Sequence, residues 1–302
     1  MPHLFALPTA TTARQFGMGG ISTCVEDVGF PNPAFAGMLE GRKAGIRLWQ
    51  TDFDGGVEAT GWQGWYATTI GEGEGVQVLG VDLDSHRGSV TVGPGQALPG
   101  SIHETDAAFH YGRRLSERWL VGGGASPVLH TTFNLYSPAD GGVMVHSDST
   151  ATFGFRIGAL YEWGENALAG FVYDRYTEDV AFRSPEMPQT ALLDFTSTEW
   201  AVGVSAPLSE RVLGAAEWME LKSESGEMES KAEGLHLGIE VATTPQLDLR
   251  LGSNDGTLSL GAGYEVDGWV VNYAYLDDWN EDAAGAALGG SETHQLEVAH
   301  VW

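Results

Sequence analysis

Four acidic groups are the first candidates for chemistry: Asp82 with Asp84; Asp174 with Glu178 and Asp179; Glu224 with Glu227 and Glu229; and Asp277 with Asp278, Glu281 and Asp282. Clustered carboxylates of this kind suit a calcium ion, or cation bridges to lipopolysaccharide. None has the spacing of an EF-hand loop, so solvated loop charge is the plainer reading. His146-Ser147 sets a base beside a hydroxyl, but no nucleophile motif surrounds the pair, and no catalytic residue is assigned. Cys24 is the chain's single cysteine, which excludes an internal disulfide. With no C-x-x-C or H-E-x-x-H, neither a metal nor a cofactor is expected, and the chain does not read as an enzyme. Lys and Arg total 15 against 41 Asp and Glu, a net charge of −26. That excludes an ordinary nucleic-acid partner, which needs a basic face.

The elements around these residues have a period of two. In 293–302, Leu296, Val298, His300 and Trp302 share one face and Thr293, Gln295, Glu297 and Ala299 the other. In 151–163, Phe153, Phe155, Ile157, Ala159, Tyr161 and Trp163 oppose Thr152, Gly154, Arg156, Gly158 and Glu162. Such alternation makes strands. It recurs in fourteen segments, near 44–51, 62–69, 75–84, 104–113, 119–129, 150–163, 167–177, 195–206, 211–222, 234–242, 247–253, 257–265, 269–276 and 293–302. Most reach the roughly 9–11 residues that a membrane-crossing strand needs. The gaps alternate too. Short ones (70–74, 115–118, 164–166, 207–210, 243–246, 266–268) interleave with long ones (52–61, 85–103, 130–149, 178–194, 223–233, 277–292), apart from the tight turn Asn254-Asp255-Gly256. An outer-membrane barrel has this asymmetry, with an even strand count and rings of Trp and Tyr at the interfaces. The expected fold is therefore all-β: an antiparallel 14-stranded transmembrane β-barrel. Its lipid contacts lie on the apolar parity. Its lumen faces the other, where Arg156, Glu240, Asp248, Arg250, Glu265 and Asn272 fall.

The first 42 residues do not alternate. A short helix is expected at 13–16, a tight backbone at Gly17, Gly19 and Gly20, and a turn at Asn32-Pro33. A fourteen-stranded barrel is too wide to fill with its own side chains. Residues 1–42 are accordingly read as a plug and 43–302 as the barrel. The 42 glycines, about twice the usual share, are assigned to the plug and to inward strand faces. The opening Met1-Pro-His-Leu-Phe-Ala lacks the charged region and apolar core of a signal peptide. The chain is either an intracellular protein or a processed or truncated form.

Particular motifs point to a family. Arg14-x-Phe16-Gly17-Met18-Gly19-Gly20, acidic Glu26-Asp27, and Asn32-Pro33-Ala34 with Gly37 and Met38 resemble the N-terminal element of the FadL/TodX outer-membrane channels and their PorV-like (UPF-type) relatives. Phe35 and Ala36 interrupt the last part. Leu249-Arg250-Leu251-Gly252, Leu260-Gly261-Ala262-Gly263-Tyr264, Val271-Asn272-Tyr273-Ala274-Tyr275 and Thr293-His294-Gln295 resemble the last four strands of that family, with Asn272 in place of its usual Asp. The likeness covers 10–45 and 247–302.

The resemblance implies a bacterial outer-membrane protein that passes hydrophobic small molecules without an energy source. Ligand would move past Arg14, Phe16, Gly17, Met18, Gly19, Gly20, Asn32 and Pro33 and leave through a gap in the wall. Proline and glycine weaken a strand ladder. Candidate gaps are Gly93-Pro94-Gly95, Pro99-Gly100 and, inside a strand, Pro127. PorV-like relatives imply the alternative, a docking or secretion barrel whose external loops bind partner proteins. Expected partners are outer-membrane lipid, a hydrophobic molecule or a loop-bound protein, and the barrel-assembly machinery through Trp302. Low lysine with high acid also fits a salty habitat, where screening blunts self-repulsion.

Overall fold

The structure, a computed structural model, describes residues 12–27, 31–53, 58–85, 88–93, 96–139, 141–184, 187–226, 228–277 and 291–302. The strands are β1 (Arg42–Phe53), β2 (Glu58–Gly71), β3 (Glu74–Ser85), β4 (Gly88–Gly93), β5 (Gln96–Arg114), β6 (Trp119–Tyr136), β7 (Val143–Gly164), β8 (Ala167–Ser184), β9 (Met187–Ser209), β10 (Val212–Ser225), β11 (Met228–Ala242), β12 (Leu247–Asn254), β13 (Thr257–Val266), β14 (Trp269–Asp277) and β15 (Ser291–Val301). Neighbours pair antiparallel. β1 pairs with β15 from Lys43↔Val301 to Phe53↔Ser291, and β3 pairs with β5 from Glu74↔Arg113 to Asp84↔His103. The sheet therefore closes on itself with fourteen strands, and β4 is a short addition paired with the start of β5. Closure leaves no barrel edge unpaired, which backbone in lipid requires.

The side-chain pattern explains the environment. Ile46, Leu48, Trp62, Ile157, Val204, Leu237, Leu251 and Leu260 stand outward and exposed. In water this continuous apolar belt would far exceed what a soluble surface carries. In a bilayer it is the ordinary exterior. Trp119 stacks on Tyr161 at 4.8 Å, and Trp269, His300 and Trp302 form a chain of ring contacts, all near the short turns. Those turns include Asp255-Gly256 and Asp267-Gly268, with positive φ at both residues of each (47° and 97°; 50° and 79°). This is the twist that two-residue hairpins favour. Apart from Asp255-Gly256, the short turns share one side with the seam where Trp302 N donates to Arg42 O at 2.9 Å.

On the opposite side the strands run further than alternation predicts. β7 has 22 residues and β9 has 23. Much of 130–149, 178–194 and 223–233, read from sequence as loop, is paired strand. Ser223↔Ser230 and Glu224↔Glu229 are examples. Above the apolar belt both faces can be wet, so alternation fades while backbone pairing continues. Glu227 and 278–290, with Asp278, Glu281 and Asp282, lie outside the described residues, as do Pro94 and Gly95.

Candidate functional site

Residues 12–27 and 31–39 pack inside the barrel. A helix, α1 (Ala13–Gly17), starts at Thr12, whose hydroxyl accepts from Gln15 N while Gln15 caps Thr12 N. It stops at Gly19 and Gly20, which have φ of 86° and 88°; Gly20 N donates back to Gln15 O at 2.9 Å. A 3-10 helix (Pro33–Met38) follows, capped by Asn32, whose Oδ1 accepts from Ala34 N. Met18, Ile21, Cys24, Val25, Ala34, Phe35 and Leu39 pack with Leu120, Leu160 and Leu168 of the wall.

The wall meets this segment with glycine. Gly75, Gly112, Gly122 and Gly158 are successive cross-strand partners on β3, β5, β6 and β7. Gly170 pairs with Gly203 on β8 and β9, and Gly238 with Gly252 on β11 and β12. A Cβ at Gly75 would collide with Ala36, at Gly112 or Gly122 with Pro33, and at Gly158 with Asn32. At Gly170 or Gly203 it would meet Thr23, and at Gly238 or Gly252, Met18. The plug backbone thus rests on an arc of bare wall.

Charged side chains hold it from the remaining strands. Arg14 grips Glu240 through Nε (2.9 Å) and Nη2 (2.6 Å) and donates to Glu26 O at 2.6 Å. Arg250 donates to the same Glu240 at 2.6 Å and to Asn272 Oδ1 at 2.9 Å. Burial opposes the Arg14 charge, but Glu240, then Asp27 and Glu26, outweigh it, and the guanidinium pKa lies above its ordinary value. Glu217 on β10 accepts from Ser22 N (2.9 Å) and Thr23 N (2.7 Å). Sequence reading missed Glu217. Its signal was one acid on a parity otherwise occupied by Leu213, Ala215, Met219 and Leu221. Arg156 pairs with Asp174 and donates to Pro31 O at 3.2 Å. Burial pushes the Cys24 thiol up to about 12, with Glu217 adding to it.

Phe16 packs on Ala274 and Leu276, and Gly17 lies against Gly261. Arg156, Glu240, Arg250, Asn272, Asp248 and Glu265 share the inward parity. The first four meet the plug or its ion pairs. Asp248 stands 3.9 Å from Arg250, and Glu265 is exposed at the short-turn rim. The acids read as loop charge are corrected: among the described residues Asp82 and Asp84 lie on β3, Asp174, Glu178 and Asp179 on β8, Glu224 on β10, Glu229 on β11 and Asp277 at the end of β14. Asp174 and Glu178 face inward, Glu178 buried; Asp174 falls within the expected segment 167–177, and the ladder carries β8 past its expected end to take in Glu178 and Asp179. Pro99-Gly100, a candidate gap, is paired on both sides, with β4 and, at Gly100, with β6.

At Pro127 the wall is interrupted. Ala107 pairs with Val128 and Phe109 with Ala125, so Ser126 and Pro127 oppose Ala108 alone, a bulge. On β7, Ser149 pairs with Val180 and Ala151 with Asp179, leaving Thr150 extra. Between β6 and β7 the ladder runs from Trp119↔Tyr161 to Ser126↔Gly154 and resumes in the same register at Thr132↔Asp148. Among the described residues no ladder pair joins 127–131 to 149–153. Side-chain bonds cross instead: Thr131 N donates to Ser149 Oγ at 3.1 Å, and that hydroxyl reaches Thr131 O at 3.3 Å and the Glu178 carboxylate. On the long-strand side of this interruption sits an inward apolar cluster of Trp49, Phe53, Val81, Ile102 and Leu135, with Phe133 and Val145. On the short-turn side lie Gly122 and Gly158 with Asn32-Pro33 of the plug.

Neither a family model nor a curated protein matches the sequence. Solved structures do. The Ralstonia pickettii toluene transporter TbuX is 12% identical with a TM-score of 0.67, covering 98% of this chain and 99% of its own. A Pseudomonas aeruginosa FadL homologue is 13% identical with a TM-score of 0.67, over 96% of this chain and 98% of its own. The Pseudomonas putida toluene transporter TodX is 14% identical with a TM-score of 0.64, over 96% of each chain. The protein has the fold of the FadL/TodX-type outer-membrane channels.

Proposed function

We propose that the chain is an outer-membrane channel for passive movement of hydrophobic small molecules, with residues 1–42 as its plug and 43–302 as its barrel. The observation that carries this is the interruption of the β6–β7 ladder beside Pro127, set between the inward apolar cluster and the plug. A molecule that enters the apolar cluster from the long-strand side meets a plugged lumen below it and a breach in the wall beside it. Leaving sideways keeps a greasy ligand out of water. The latches at Glu240 and Glu217 hold the plug while this happens. Similar structures are transporters by name, which supports a non-enzymatic reading; the docking alternative draws no support from them. Trp302, exposed at the seam, is the group we assign to the assembly machinery.

The test removes the breach. Deleting Pro127 and Thr150 together lets β6 run straight against β5 and β7 against β8 while keeping β6 and β7 in register, so their ladder can run through. Toluene entry into vesicles with a lipopolysaccharide outer leaflet should fall to the protein-free rate. Unchanged entry would sink the side exit; no entry with the wild-type chain would sink the channel itself.

A further inference from the structure

We propose that the Ser149 hydroxyl is the latch of this side exit, and that the molecule it favours carries a hydroxyl group of its own. The inference rests on the channel reading above and adds a substrate class to it. Thr131 and Ser149 are directly opposite in the register that brackets the interruption. Their backbones do not pair, yet Ser149 Oγ accepts from Thr131 N at 3.1 Å and lies 3.3 Å from Thr131 O. One side-chain hydroxyl thus stands in for two ladder bonds. Its single proton has two acceptors in reach, Thr131 O and Glu178, so the closure is held by fewer donors than acceptors.

Opening the exit separates Ser149 from Thr131. The Thr131 N–H and C=O then face the passing molecule. A hydrocarbon offers them nothing, and unmet backbone groups away from water oppose the opening. A ligand hydroxyl offers one donor and one acceptor, the same pair that Ser149 supplied. Its apolar body meanwhile matches the neighbouring surface of Phe133, Leu135 and Val145. A site built around a hydroxyl discriminates strongly against the analogue that lacks one. The favoured class is therefore a small aromatic or aliphatic alcohol, not a bare hydrocarbon.

The probes are toluene and p-cresol, which share a methylated ring and differ by one hydroxyl. Entry of each is measured in lipopolysaccharide-faced vesicles carrying the full chain, after correction for protein-free vesicles. The wild-type chain should favour p-cresol by about tenfold, the equivalent of one unmet hydrogen bond. Ser149→Ala removes the closed-state bonds, so toluene entry should rise and the preference shrink to within about twofold. Ser149→Thr keeps the hydroxyl and should keep the preference. Equal wild-type entry of both probes overturns the proposal while the channel stands, as does a preference that survives in Ser149→Ala. Entry of neither probe overturns both. Retained heat-modifiable migration in detergent confirms that each variant has formed its barrel; if Ser149→Ala does not, the wild-type ratio and Ser149→Thr decide.

Discussion

Glu240 shows what a single residue does here. It accepts from Arg14 of the plug and Arg250 of the wall, so removing it leaves two guanidinium groups facing each other. Breaking a buried pair by deleting one partner costs about 3–5 kcal/mol. Glu240→Ala should lower the hydrogen-exchange protection of residues 13–20 by that order, with the strands unaffected. Equal protection would show that the glycine arc alone holds the plug. Cys24 reports the same event. With its thiol pushed up to about 12 by burial, it should resist alkylation at pH 8 and react once the plug leaves, faster in Glu240→Ala. Its contribution to docking has a definite sign. The raised value favours the docked thiol fully below the free value of about 8.5 and is lost as pH climbs toward 12. A plug equally protected at pH 8 and pH 11 would contradict this. Arg14, Glu240 and Arg250 were visible in the sequence through parity and motif. Ser149 was not, since nothing in a run of Ser, Asp and Thr distinguishes a hydroxyl bridging two strands from one facing water.

At the scale of elements, the strands were legible because lipid on one side and a polar lumen on the other impose period two. Their upper halves were not, because that constraint ends with the bilayer while hydrogen bonding does not. Glu178 and Asp179 were therefore set in a loop when they belong to β8. Glycine content was legible as an excess but not as an arrangement. The run Gly75, Gly112, Gly122 and Gly158 exists only across four paired strands. The arrangement makes a prediction. At Gly158 a Cβ collides with the Asn32 side chain, which also donates to Thr23 O at 2.8 Å. Gly158→Ala should leave the barrel formed and shift the 3-10 helix, seen as faster tryptic or hydrogen-exchange attack on residues 31–38. A barrel that fails to form, or a plug that stays protected, would refute the division of labour between the two elements.

For the whole molecule, the acids behind the −26 occupy different settings among the described residues. Part lies on the exposed strand ends, as at Glu224, Glu229 and Glu233. Part lies within, at Glu104, Asp106, Asp174, Glu178 and Glu199, where Arg156 is paired with Asp174. Exposed charges repel over a screening length that shrinks from about 30 Å at 0.01 M salt to about 3 Å at 1 M. The barrel's unfolding temperature in detergent should rise by a few degrees across that range; a flat response would mean that the exterior charges are already neutralised.

The plug's placement also governs how such a molecule is made. Arg14 meets Glu240 across 226 positions of chain, and Thr23 meets Glu217 across 194. Contacts this remote wait for loop closure and form late. The segment synthesised before every strand is thus seated after most of them, and its resting place spans ten barrel strands from β3 to β13. No half-built sheet can receive it. The cylinder has to be drawn round a leader that is still loose, and then sealed at Arg42 and Trp302. A failure at that moment would give a sound tube with its stopper outside, a leak in the envelope where other misassembled proteins give an aggregate.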